Sequence, residues 1–193
     1  MEALEQIKRE LEQFGEQNDA VMEARKDKML NITRDTGEFL AVMIRATAAK
    51  RILELGTSNG YSTLWLAEAA RAIGGLVTTI DYSEFKIGLA KNTFAKAGLT
   101  SYITQIHSDA GEALKGLTSE SFDLIFLDAL RSEYCKWWPD IRRVLRTGGL
   151  LIVDNATSHP EEMAPFVAEV HRDNTFTTCL VPVGKGEFLA TKA

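Results

Sequence analysis

A single α/β domain, built on a seven-stranded and mostly parallel sheet with an antiparallel hairpin at its C-terminal end, is the fold class that this 193-residue chain predicts. Three observations carry that expectation. From residue 50 onward, short apolar runs alternate with helix-length stretches, and repeated βα units imply parallel strands covered by helices on both faces. The first run, Ile52-Leu53-Glu54-Leu55, enters a glycine turn, Gly56-Thr57-Ser58-Asn59-Gly60, and then a helix. The last two runs meet at Gly184-Lys185-Gly186, which leaves no room for a crossover helix, so they pair as a hairpin.

Residues 1–48 form a helical N-terminal segment and residues 50–193 the sheet-bearing core. They make one domain together, because 193 residues with 45% hydrophobic content suffice for one buried core and crowd two. Leu4, Ile7, Leu11 and Phe14 recur at helical spacing, giving an amphipathic helix over 4–14. That helix either covers the core of its own domain, or reaches a second subunit in a homodimer, or roofs the active site. Phe39, Leu40, Val42, Met43 and Ile44 mark a second helix over 36–48. Strands are expected at 51–55, 76–80, 102–107, 122–127, 149–153, 176–182 and 186–191. Helices are expected between and after them at 60–72, 84–97, 110–116, 132–145 and 161–172.

Charge and cysteine content narrow the function. Lys plus Arg number 22 against 27 Asp plus Glu, a formal net charge of −5, and no basic block stands out. This speaks against nucleic acid as a partner. Cys135 and Cys179 belong to no CxxC or Cys/His zinc pattern, which fits a reduced, cytoplasmic setting. The N-terminal Met1-Glu2-Ala3-Leu4-Glu5 lacks the apolar core of a signal peptide, and no run approaches the roughly 20 apolar residues that span a bilayer. A soluble cytoplasmic protein without a membrane partner is the expectation.

The glycine turn is the first candidate site. Asp81 ends the next strand, 21 residues past Gly60, where a carboxylate can accept both hydroxyls of a ribose. The turn reads G-x-x-x-G, without the G-x-G-x-x-G that seats a pyrophosphate on a helix N-terminus. An adenosine-type cofactor with no phosphate to seat fits that difference. Ser108-Asp109-Ala110 follows the third core strand, where an adenine ring could take polar contacts. His107 is either a stacking partner for that ring or a structural strand residue.

Acids also end the fourth and fifth core strands, in Phe122 through Asp128 and in Gly149 through Asp154-Asn155. Ligand crevices of open α/β sheets lie outside the carboxyl ends of the strands, so Asp128, Asp154 and Asn155 can converge there. Two carboxylates and an amide carbonyl suit Mg²⁺, with Mn²⁺ or Ca²⁺ as alternatives, and lack the imidazole or thiolate of a zinc site.

Together these motifs resemble the cation-dependent small-molecule O-methyltransferases, the group that includes catechol and caffeoyl-CoA O-methyltransferases and bacterial relatives. The resemblance rests on Leu53-Glu54-Leu55-Gly56-Thr57 through Gly60-Tyr61-Ser62, on Asp81, on Ser108-Asp109-Ala110, on Phe122 through Asp128, and on Leu145-Arg146-Thr147-Gly148-Gly149 through Asp154-Asn155. It covers roughly residues 29–193. It implies the class I S-adenosylmethionine (SAM) methyltransferase fold, a Rossmann-like layout of five βα units closed by a hairpin. By the same resemblance Ile32, Glu54, Gly56, Thr57, Ser62, Asp81, Asp109, Ala110 and Asp128 line the SAM pocket, while Asp128, Asp154 and Asn155 hold a divalent cation. Glu54 has an electrostatic reason to be there, since the methionine portion of SAM carries positive charge. The implied reaction is transfer of the SAM methyl to a hydroxyl of a small, aromatic vicinal diol held by that cation.

Two departures stand out. Relatives commonly carry a lysine three residues after the first metal aspartate and assign it the acceptor's proton, whereas this chain reads Asp128-Ala129-Leu130-Arg131. Arginine stays protonated and is a poor base, so Arg131 is either an electrostatic catalytic group for the phenolate or a plain surface residue. The segment from Asp154 to Glu161 passes quickly into the next helix, where relatives often insert a longer substrate-facing loop. That leaves the acceptor pocket more open, with His159 either touching substrate or facing solvent. Trp137 and Trp138 sit about 100° apart on their helix, so at most one faces a given pocket. Tyr134 follows Arg131 at the spacing relatives use. The competing readings are a SAM methyltransferase with a different acceptor and a SAM-binding protein with little or no transfer.

Overall fold

The computed structural model describes residues 2–193. Two helices, α1 (Glu2–Val21) and α2 (Arg34–Thr47), precede the core. The core runs β1 (Arg51–Leu55), α3 (Tyr61–Ala72), β2 (Leu76–Asp81), α4 (Glu84–Lys96), β3 (Ile103–His107), α5 (Ala110–Gly116) and β4 (Phe122–Leu127). It continues through α6 (Tyr134–Val144), β5 (Leu145–Val153), α7 (Pro160–His171), β6 (Phe176–Val181) and β7 (Glu187–Lys192). The seven strands lie in the order β3-β2-β1-β4-β5-β7-β6. Neighbours among the first five are parallel, and β7 inserts antiparallel between β5 and β6.

Most element bounds match the sequence pattern to within two residues. The exceptions have local causes. Strand β5 begins at Leu145, ahead of the glycine pair Gly148-Gly149, because Leu145 already pairs with Phe122 across a register shift. Helix α1 runs on to Val21 through polar residues that add no apolar periodicity. A 3₁₀ turn over Arg131–Glu133 delays α6.

The central strands are buried on both faces, so they read as continuous apolar runs with alternate side chains going to opposite layers. Ile52, Leu124 and Phe126 meet Leu40 of α2, Leu64 of α3 and Phe94 of α4. Leu53, Ile125 and Leu127 meet Leu114 of α5, Ile141 of α6 and Phe166 of α7. Trp138 packs edge-on against Phe166 at 5.7 Å between ring centres.

Helix α1 covers the core of its own chain. Leu4 joins the α2/α3 layer, and the buried Lys8 ammonium lies 2.6 Å from Glu68 Oε2 and 3.3 Å from the centre of the Trp65 ring. Toward its end, Asp19 accepts the Met29 N–H at 2.6 Å and the Leu30 N–H at 2.8 Å. The helix therefore also fixes the segment that roofs the crevice above the sheet. Among the described residues, no helix is long and apolar enough to cross a membrane.

Leu40 lies fully buried on the inner face of α2 and Val42 lies exposed on the outer one. Leu40→Ala is expected to lower the unfolding free energy by about 2–5 kcal/mol, and Val42→Ala to change it by less than about 0.5 kcal/mol. Urea denaturation of the two variants measures both; equal losses would contradict this orientation of α2.

Candidate active site

A cavity of about 420 Å³ opens at the carboxyl ends of the strands, at the point where the chain reverses direction across the sheet from β1. The glycine turn forms its floor. Gly56 has φ 104°, and a Cβ there would stand 2.0 Å from the Asp128 carbonyl oxygen, so only glycine lets the end of β1 pass β4 so closely. The Ser58 N–H donates to Asp81 Oδ2 at 2.8 Å and the Ser83 N–H to Asp81 Oδ1 at 2.9 Å. Asp81 is thereby oriented on the cavity wall with lone pairs left for a diol. Ser58 Oγ in turn donates to Met29 O at 2.7 Å, which ties floor to roof.

Of the residues expected to bind cofactor, Gly56, Thr57, Ser62 and Asp81 line one side of this cavity, Asp109 and Ala110 another, and Ile32 the roof. Glu54 does not. Its side chain alternates away from the crevice to lie fully buried under the first turn of α3, where Ser62, Thr63 and Thr79 all donate to it. Burial pushes its pKa up to about 7 against the pull of those hydroxyls. The expectation that Glu54 meets the methionine portion is corrected accordingly: it braces the floor from behind. His107 is exposed and its Nε2 contacts Tyr82 O at 3.0 Å, off the cavity, so the structural reading applies.

The other half of the cavity holds the strand-end acids. Asp128 and Asn155 lie on the wall, and Asp154 lies just behind it, accepting the Asn155 N–H at 2.6 Å. No protein donor reaches the Asp128 carboxylate among the described residues, and burial followed by the charge of Asp154 pushes its pKa up to about 8. Asp154 is raised too, chiefly by burial. Arg131 is on the wall, with Nε donating to Glu162 Oε2 at 2.8 Å and Nη2 buried without a partner. Trp137 lines the cavity while Trp138 stays in the core. Tyr134 is buried, and its hydroxyl accepts the Ala129 N–H at 2.8 Å, bracing the loop after Asp128.

With this geometry in view, comparison with known proteins is decisive. A profile described as O-methyltransferase matches residues 5–193. The chain belongs to the O-methyltransferase family. It is thus a SAM-dependent O-methyltransferase. A protein of Mycobacterium sp. (strain JLS), whose name assigns it to the O-methyltransferases, is 32% identical over 195 residues, covering 90% of this chain and 87% of its own length. A catechol O-methyltransferase of Niastella koreensis is 35% identical over 129 residues, covering 65% and 58% respectively. Among solved structures, the O-methyltransferase TomG of Streptomyces achromogenes, crystallised with SAM, aligns with a TM-score of 0.80 at 26% identity over 100% of this chain and 90% of its own. An O-methyltransferase of Bacillus cereus, in complex with SAH, gives 0.83 at 23% identity over 97% and 91% and supports the fold.

This O-methyltransferase carries functional candidates that motif reading missed. Met29, Leu30 and Asn31 complete the roof, and Lys185 lines the same cavity from the β6–β7 turn. Glu187 is fully buried at the start of β7. Its Oε1 accepts from Thr36 Oγ1 at 2.9 Å, while Oε2 meets no donor. Burial, then the charge of Asp154, pushes its pKa up to about 9, and in its protonated form it can donate to Asp154. The signals were present: a lysine between two glycines, and an acid just ahead of the apolar run Phe188-Leu189-Ala190.

The Glu54 arrangement makes stability depend on pH. Its folded pKa, about 7, exceeds the ordinary 4.5, so the folded state binds more protons between those values. The contribution is complete below about pH 4.5 and lost as pH rises through about 7. Between pH 4.5 and 8, Glu54→Gln should gain about 3 kcal/mol relative to the original protein. Urea denaturation at the two pH values measures this, and parallel pH profiles would contradict it.

Proposed function

We propose that this O-methyltransferase uses a divalent cation, with Mg²⁺ the best match, to transfer the SAM methyl to one hydroxyl of a small aromatic vicinal diol. The observation that carries the reading is the meeting, in one cavity, of the Gly56 turn and Asp81 with Asp128 and Asn155. Gly56, Thr57, Ser62, Asp81, Asp109, Ala110 and Ile32, all on the wall of that cavity, would hold SAM.

For the cation the fit rests on the donors. Among the described residues no cluster of three or more His, Cys, Asp or Glu side chains is arranged as a metal site. The set in question is two carboxylates and an amide, in which Asp128 and Asp154 repel each other and Asp128 has no hydrogen-bond donor. Positive charge relieves that repulsion, and hard oxygens suit Mg²⁺.

When bound, SAM supplies an electrophilic methyl group and the cation a Lewis acid that acidifies the acceptor hydroxyl. Asp128 lines the cavity where its backbone abuts Gly56, so the glycine turn and the strand-end acids meet there. Walls so fixed hold acceptor and methyl in a near-attack geometry, an effect that can supply about 7–11 kcal/mol of a barrier. Trp137 offers an aromatic wall. Binding without transfer is the competing reading, and the engagement of Arg131 by Glu162 is what favours it.

Release of S-adenosylhomocysteine (SAH) from SAM, measured over catechols, monophenols and non-aromatic diols with Mg²⁺ or EDTA, tests the proposal. Turnover should favour catechols and vanish in EDTA. Asp128→Ala and Asp154→Ala should each lower turnover by at least about 100-fold while keeping a native circular-dichroism spectrum. EDTA-insensitive transfer, or full activity in both variants, would remove the cation from the mechanism.

A further inference from the structure

As a hydroxyl acceptor loses its proton, negative charge gathers on its oxygen beside Asp128, and a positioned cation there lowers the barrier. Arg131 is poorly free to answer that charge. Its Nε is committed to Glu162 Oε2 at 2.8 Å and its Nη2 is buried in the wall.

Lys185 is placed differently. It lines the same cavity as Asp128, Asn155 and His159. Its Nζ meets Asn31 O at 3.5 Å, a long contact, and among the described residues it makes no ion pair. An ammonium has three donors, so at least two remain for a ligand. Asp128 and Asp154 both feel its positive charge.

The root of this flexible side chain is clamped. The Lys185 carbonyl accepts from Thr157 N at 3.0 Å, Ser158 N at 3.1 Å and Thr157 Oγ1 at 2.7 Å. Gly184 N donates to Asp35 Oδ2 at 3.1 Å. Gly186 has φ 87°, and a Cβ there would stand 2.4 Å from Thr157, so the turn presses onto the loop after Asn155. A solvent-facing hairpin tip needs no such seat.

We propose that Lys185 is a catalytic residue of the acceptor half, its ammonium donating to the acceptor oxygen as that oxygen becomes an anion. This rests on hydroxyl methylation as read above. The acceptor proton passes to water, the oxygen bonds to the methyl carbon, and the sulfonium C–S bond breaks with its electron pair staying on sulfur as a thioether. The carboxylates that feel the ammonium's charge are Asp128 and Asp154 from the strand ends; Arg131 and His159 line the same cavity, and Asp35 meets the turn at the Gly184 N–H.

The test uses 4-nitrocatechol, a diol whose ionisation is visible in its spectrum, titrated with pH on the full protein with SAH and Mg²⁺. In Lys185→Met the bound probe should ionise about one pH unit higher than with the original protein, and Lys185→Arg should restore most of the shift. With a turned-over catechol, kcat should fall about 10- to 100-fold in Lys185→Met while SAH affinity stays unchanged. Identical probe ionisation in Lys185→Met and the original protein would overturn the assignment, as would loss of SAH binding in that variant. EDTA-sensitive catechol turnover that ignores Lys185 would sink this inference and leave the methyl-transfer reading standing. Failure of the original protein to bind the probe would sink this inference and count against the diol reading as well. A Lys185-dependent shift without turnover would support the oxyanion contact and count against transfer.

Discussion

The site depends on the parallel hydrogen-bond ladder running one rung beyond the strands. Gly56 N donates to Ile80 O at 2.9 Å, Asp128 N to Leu55 O at 3.0 Å and Asp154 N to Leu127 O at 3.2 Å. The residues that follow β1, β4 and β5 are thus held in register along one edge by backbone alone. Because Gly56 lacks a side chain, Asp128 can close against it, and the cofactor floor and the acceptor wall share a seam.

Such a register gathers acids. Glu54, Asp128, Asp154 and Glu187 are all pushed upward by burial, and each is handled differently. Glu54 is surrounded by hydroxyls, which satisfy a buried carboxyl whether or not it is ionised. Glu187 leans on Thr36 with one oxygen and can share a proton with Asp154 through the other. Asp128 alone keeps a carboxylate on the cavity wall with no protein donor. The molecule meets the desolvation of Glu54 and Glu187 from within and leaves Asp128 for a ligand to satisfy.

The strands and the glycine turn were legible because burial on both faces leaves little freedom in composition: Leu124-Ile125-Phe126-Leu127 admits few readings. Strand-end acids were legible for the same reason, since an acid closing an apolar run marks the carboxyl edge. Glu54 misled because linear proximity to Gly56 says nothing about pleat, and one residue of alternation moved its carboxylate from the crevice into the layer under α3. Lys185, Glu187 and the 29–31 part of the roof were hidden because their place in the site comes from tertiary contacts spanning most of the chain, as in Thr36 with Glu187. No local pattern encodes such a pairing.

Those long-range contacts divide the cavity by origin. Its floor and one wall come from the βα units, whose positions are set by the ladder. Its roof and acceptor mouth come from the two ends of the chain, which meet through Lys185 Nζ and Asn31 O, Gly184 N and Asp35, and Thr36 and Glu187. Side chains supply a donor or an acceptor to each of these, and none belongs to a sheet ladder. The acceptor half can therefore adjust to its ligand at less cost than the cofactor half, where any shift must break backbone rungs. With the short loop from Asn155 to His159 pressed under the hairpin turn, chemistry at the mouth falls to whatever side chain that turn presents, and the turn presents a lysine.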